Sequence, residues 1–214
     1  MLKKLFLLVA TLLLAVGMAA ADPIAYLVTV DTSSIAGTAG SLDFQFNPGP
    51  LASQAASVQV LDFNSDGTLA SSPILTGNVS GTLASTVTFT NSTVYNDYFS
   101  GFLFGGTLSF VVSLLGPALT TPDGTSTSGS AFAFSMFSDA DGTIPALTSD
   151  AINGFAYTVA VNLDGTTTPT VSSSKLTASV TTVPEPSSAW LFGAGLLGLG
   201  ILQFKRSRAR ALHT

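Results

Sequence analysis

The chain has 214 residues, a formal net charge of −5, no cysteine and one histidine. Without cysteine there is no disulfide framework, no thiolate catalysis and no Cys-ligated zinc. Between Asp22 and Val183 stand eleven Asp, no Glu and one basic residue, Lys175, a formal net of −10; a stretch so acidic offers almost nothing to a phosphate, which excludes nucleic acid as a partner.

The chain opens with Met1-Leu2-Lys3-Lys4, a short basic start, then an apolar run without charge from Leu5 to Met18 and the small residues Ala19-Ala20-Ala21. This is the layout of a secretory signal peptide over residues 1–21, with the cut expected between Ala21 and Asp22. The apolar run is 14 residues long, short of the roughly 20 that a bilayer span takes.

Residues 22–183 are expected to form one exported domain, large enough to bury a real core. Short runs rich in Val, Thr, Phe and Leu alternate with clusters of Gly, Ser, Asp, Asn and Pro. Strands are predicted over Ile24–Asp31, Ser41–Phe46, Ser57–Phe63, Thr86–Thr90, Thr107–Leu115, Ser130–Phe137, Tyr157–Leu163 and Leu176–Thr182. In Leu42-Asp43-Phe44-Gln45-Phe46 the apolar side chains fall on one face and the polar ones on the other, the period of a sheet with one buried and one wet side. Asp66-Gly67, Asp123-Gly124, Asp141-Gly142 and Asp164-Gly165 read as turn dipeptides in which Gly supplies a positive φ. Asn47-Pro48-Gly49-Pro50 and Gly116-Pro117 interrupt strands. Gly165–Thr170 reads as a wide hairpin loop or a flexible stretch. No sustained helical period appears, Ser149–Gly154 allowing one turn at most. The fold class is therefore all-β: an antiparallel β-sandwich of jelly-roll or immunoglobulin-like type.

Catalytic groups are scarce. The one histidine, His213, lies in the last residues, so the exported stretch has no Ser-His-Asp or Cys-His set and no His-ligated metal. No enzyme activity, cofactor or metal is expected, although a carboxylate pair across two strands would be needed for an Asp-based hydrolase. Asp62-Phe63-Asn64-Ser65-Asp66-Gly67 places oxygen side chains at positions one, three and five before Gly, like the first half of a calcium loop. Its twelfth position is Pro73 instead of a bidentate Glu, so a turn held by Asx hydrogen bonds suits Asp62, Asn64 and Asp66 better. Asp139–Gly142 is a weaker echo. Tyr95, Tyr98 and Phe99, beside Asn96 and Asp97, form the one polar-aromatic cluster suited to a sugar face. Asn78-Val79-Ser80 and Asn91-Ser92-Thr93 fit the glycosylation pattern, a weak motif in itself.

From Ser187 to Phe204 the chain is again free of charge, about 27 Å as a helix and enough to cross a thin bilayer once. Lys205, Arg206, Arg208 and Arg210 follow as a stop-transfer cluster that stays in the cytoplasm, and Trp190 suits the outer interface. Before the span stands Pro184-Glu185-Pro186. Two prolines keep such a peptide extended and open to a processing enzyme.

This combination, Pro184-Glu185-Pro186 before a Gly-rich apolar segment and a terminal basic cluster, resembles the PEP-CTERM sorting signal over residues 184–214. The resemblance implies an exosortase, a membrane processing enzyme, as partner, with cleavage near Pro184–Pro186. It implies an inner-membrane-anchored precursor, followed by the cell envelope surface or extracellular matrix. It also implies an exopolysaccharide or biofilm setting, in which the exported domain is structural or adhesive. The alternative is a carbohydrate- or calcium-binding module of that matrix.

Overall fold

Residues 23–181 are described by a computed structural model of the chain. The expected signal peptide, the Pro184–Pro186 motif, the 187–204 span and the basic cluster from Lys205 lie outside the described residues. Within them, no helix is long and apolar enough to cross a membrane.

Two antiparallel sheets pack face to face. Sheet I runs β13 (Leu176–Thr181), β1 (Ile24–Asp31), β9 (Thr107–Leu115), β3 (Ser57–Ser65), β7 (Thr86–Thr90), β6 (Val79–Gly81). Sheet II runs β12 (Thr167–Val171), β11 (Phe155–Val161), β10 (Ser130–Phe137), β2 (Ala39–Pro48), β8 (Asp97–Leu103), β4 (Thr68–Leu69). A further short strand, β5 (Ile74–Thr76), pairs with β8 beside β4.

The pairing is nested. β1 joins β9, β2 joins β8 and β3 joins β7, while the chain changes sheet between β1 and β2, β2 and β3, and β8 and β9. A long hairpin rolled over itself gives this order, which makes the sandwich a jelly roll and not an immunoglobulin grouping. β10, β11 and β12 then extend sheet II as a meander.

The period of two explains why these residues make a sandwich. Tyr26, Val28 and Val30 of β1, Leu42, Phe44 and Phe46 of β2, and Leu108, Phe110, Val112 and Leu114 of β9 all face inward and are buried. At the centre Phe44, Phe110 and Phe134 form a triangle with ring centroids 5.2, 4.9 and 4.8 Å apart. Two of the three contacts are edge-on, an arrangement worth about 0.5–1.5 kcal/mol per pair beyond the area buried.

Three details differ from the expectation. β8 was not predicted, because its inward row is interrupted: Tyr98 and Phe102 are buried with Ser100 between them, and Asp97 is buried on the other side. β11 starts and ends two residues earlier than the expected strand. A register shift at Phe134/Ser135 brings Phe155 opposite Ser135, and Asn162–Gly165 close a tight turn instead. The Gly165–Thr170 stretch is not a wide loop. Gly165 at φ +82° turns the chain, Asp164 accepts from the Thr166 amide at 3.0 Å, and Thr167–Val171 pair with β11 as an edge strand.

Candidate functional site

With Leu42, Phe44 and Phe46 committed to the core, β2 must send Asp43, Gln45 and Asn47 to the outer face of sheet II. The register then builds two cross-strand rows. One reads Asn47–Ala131–Ala160–Thr168 and the other Gln45–Ala133–Thr158–Thr170. Alanines form the floor, amides stand along one side, and threonines along the other. Gln45, Asn47, the three alanines and Thr158, together with Phe155 and Leu163, line an open groove of about 400 Å³.

A chain of hydrogen bonds runs along β2 beside this groove. Gln45 Nε2 donates to Asp43 Oδ2 at 2.8 Å, and Asn47 Nδ2 donates to Gln45 Oε1 at 3.2 Å. The Asn96 amide donates to Asn47 Oδ1 at 2.7 Å. Asn96 itself is fully buried, its Nδ2 bonded to the Phe46 and Thr93 carbonyls. It locks the segment before β8 to the end of β2, and so aims Tyr95 at Gln45 (3.4 Å).

At the inner end of the chain lies a carboxyl pair. Asp97 stands across from Gln45, which makes Asp43 its diagonal neighbour on the same face. The two side chains are within hydrogen-bond reach of each other. Each residue is only 8% exposed, and Oδ1 of each has no hydrogen-bond partner. Burial raises both pKa values, and the neighbouring Asp43 raises Asp97 further, to about 9. The pair thus holds one proton at neutral pH. Burial, then the charges of Asp97 and Asp43, push Tyr95 up to about 12.

The sequence-predicted candidates fall out differently. Of the aromatic cluster, Tyr95 is 47% exposed but Tyr98 is 3% exposed and points into the core, where its hydroxyl meets the Leu83 amide. The cluster is therefore not one surface: Tyr98 lies on the inner face of β8, and Tyr95 lies in the segment before the strand. Asp62 sits at φ 52° where the β3/β9 register shifts between Leu61 and Asn64; both Asp62 and Asn64 are exposed. Asp66 accepts from the Gly106 and Thr107 amides at 3.0 and 2.9 Å, which keeps its pKa below the usual range. It caps the β8–β9 turn. Asp139 likewise accepts from the amides of Thr143 and Ile144. Asn91 is spent on the Gln54 carbonyl, Ser130 Oγ and the Ala56 amide. Asp43 was legible only as the polar half of an alternation; its partnership with Asp97 across 54 positions leaves no local signal.

Residues 182–206 match the PEP-CTERM protein-sorting motif. The chain thus carries the signal of an exported protein that an exosortase processes, with a membrane-anchored precursor bound for the cell surface. No curated protein and no solved structure matches the chain.

Proposed function

We propose that the exported jelly roll is a non-catalytic, adhesive component of the cell exterior that contacts extracellular polysaccharide through the outer face of sheet II, in an exopolysaccharide or biofilm setting. The observation that carries this reading is the alanine-floored groove. Ala131, Ala133 and Ala160 leave room for a flat ring to approach the sheet, Gln45, Asn47 and Thr158 border it with donors and acceptors at fixed positions, and the exposed Tyr95 stands next to Gln45. A shallow site with a few fixed polar groups suits a hydroxyl-rich ligand.

The carboxyl pair supports the non-catalytic part. Glycosidases hold their two carboxyl groups about 5–9.5 Å apart to admit a sugar and a water. Asp43 and Asp97 are in contact and screened from solvent.

The test is retention of the purified chain on polysaccharide from its own host. Ala131→Trp, which fills the exposed floor, and Tyr95→Ala are expected to lower retention at least tenfold with the melting temperature preserved. Retention equal to wild type in both would defeat the proposal. Tyr98→Ala is unsuitable, since it removes a core side chain.

A further inference from the structure

We propose that the polymer held by the sheet II groove is a neutral polysaccharide, its pyranose rings bearing hydroxyl groups and no carboxylate, sulfate or phosphate. This rests on the polysaccharide reading above and narrows it to one chemical class.

The first argument is the hydrogen-bonding character of the lining. No residue that lines the groove carries a charge. The two amides of β2 are already oriented: Gln45 Oε1 accepts from Asn47 Nδ2, and Asn47 Oδ1 accepts from the Asn96 amide. That leaves Asn47 Nδ2 a second N–H to give and Gln45 Oε1 a second lone pair to fill. Thr158 adds a hydroxyl, which donates and accepts. A sugar hydroxyl answers both kinds of group. A carboxylate, sulfate or ionised phosphate only accepts, and would set one acceptor against another at Gln45 Oε1.

The second argument is the floor. Ala131 stands opposite Ala160, and Ala133 opposite Thr158. Those four positions make a patch roughly 5 Å across the ladder and 6.6 Å along the strands. One pyranose ring laid on its C–H face covers such a patch, methyl groups against apolar hydrogens, with its hydroxyls directed outward to the polar borders.

The third argument is charge around the groove. Beyond Gln45 stands Asp43, and at the opposite end Leu163 of the lining is followed by Asp164. An acidic polymer running through would meet carboxylates at both ends, and like charges brought together reject a partner. The compensating cation is not at hand. Between Asp22 and Val183 the one basic residue is Lys175, which lies outside the lining and is engaged 3.1 Å from Asp31. The same stretch has no arginine, the side chain whose planar fork reads carboxylate and phosphate through paired bonds.

The experiment uses polysaccharide from the host, separated by anion exchange into a neutral and an acidic pool of similar chain length. Retention of the purified full chain in detergent is measured on each pool in EDTA, so that no divalent cation bridges carboxylates. Salt is raised from about 0.1 to about 1 M, which shortens the screening length from roughly 10 to roughly 3 Å. The expected result is retention on the neutral pool that salt changes less than about twofold, because contacts between uncharged groups are not screened. Retention on the acidic pool should be at least about tenfold weaker at the lower salt. Thr158→Arg should gain retention on the acidic pool, lost again at the higher salt, with Tm preserved; Ala131→Arg takes its place if that variant does not fold. Wild type held by the acidic pool as well as by the neutral one overturns this inference and leaves the polysaccharide reading standing. A folded arginine variant that gains nothing on the acidic pool also overturns it, since the groove would then not select the polymer. Retention on neither pool defeats the polysaccharide reading itself, and this inference with it.

Discussion

Asp97 stands directly opposite Gln45 in the β2–β8 ladder, and Gln45 in turn donates to Asp43 at 2.8 Å. The amide is thus bonded to one carboxyl and paired across the ladder with the other, and burial raises the pKa of both. The pH behaviour of the protein follows from this arrangement. Asp97 has a folded pKa near 9 against an ordinary 3.8, so the native state binds more protons than the unfolded chain across that interval. Stability falls as pH rises from about 4 to 9. Asp31 has the opposite sign. Ser33 and Lys175 lower it to about 2, so its contribution is lost as pH falls from about 4 toward 2. Melting temperatures should therefore peak near pH 4–5, and Asp97→Asn should flatten the alkaline limb. A melting temperature that climbs steadily to pH 9 would contradict the pair's assignment.

Phe44 touches both Phe110 and Phe134 and is fully buried. Phe44→Ala should cost about 3–5 kcal/mol, read from urea midpoints at constant m. A loss below 1 kcal/mol would mean that the triangle is not the centre of the core.

Tyr157 is buried with a hydroxyl that has no partner, edge-on to Tyr26 and Phe132. Removing the oxygen relieves a desolvation cost and keeps the ring contacts. Tyr157→Phe should be neutral or stabilising by up to about 1–2 kcal/mol. Clear destabilisation would show that the hydroxyl has a partner in solution.

Gly67 and Gly124 are both turn glycines with different reasons to be glycine. A Cβ at Gly67 would come within 2.5 Å of the Leu103 carbonyl oxygen and of the Phe102 ring. Gly124 has open space around it and φ +65°. Gly67→Ala should cost about 1–3 kcal/mol through overpacking, and Gly124→Ala about 1 kcal/mol through backbone strain alone. The reverse order in parallel melts would refute the close approach at Gly67.

The sorting motif at 182–206 predicts a mature mass ending near Pro184–Pro186 in the native host. In a strain lacking the exosortase the mass should run to Thr214 and stay in the inner membrane. Identical masses in both strains would mean that the enzyme does not process this chain.

Much of the sandwich was legible because its long strands alternate cleanly. Ile24–Asp31, Thr86–Thr90, Thr107–Leu115 and Ser130–Phe137 coincide with β1, β7, β9 and β10. Strands with mixed faces were not: β8 carries Ser100 inward and Asp97 buried outward, and β4, β5 and β6 are too short to show a period. Turn chemistry was legible at Gly165, where a positive φ is required, and misread at Gly67, where crowding by another segment is the reason.

Two kinds of information therefore separate. The sorting motif at 182–206, the acidic balance and the face on which each β2 side chain falls are properties of adjacent residues, and the sequence by itself determined them. The jelly-roll order, the alanine floor and the Asp43–Asp97 pair depend on which strands become neighbours. That choice is made by long-range burial of the two sheets' apolar faces, and only tertiary structure decided it, because a period of two says which way a side chain points but not what it will meet.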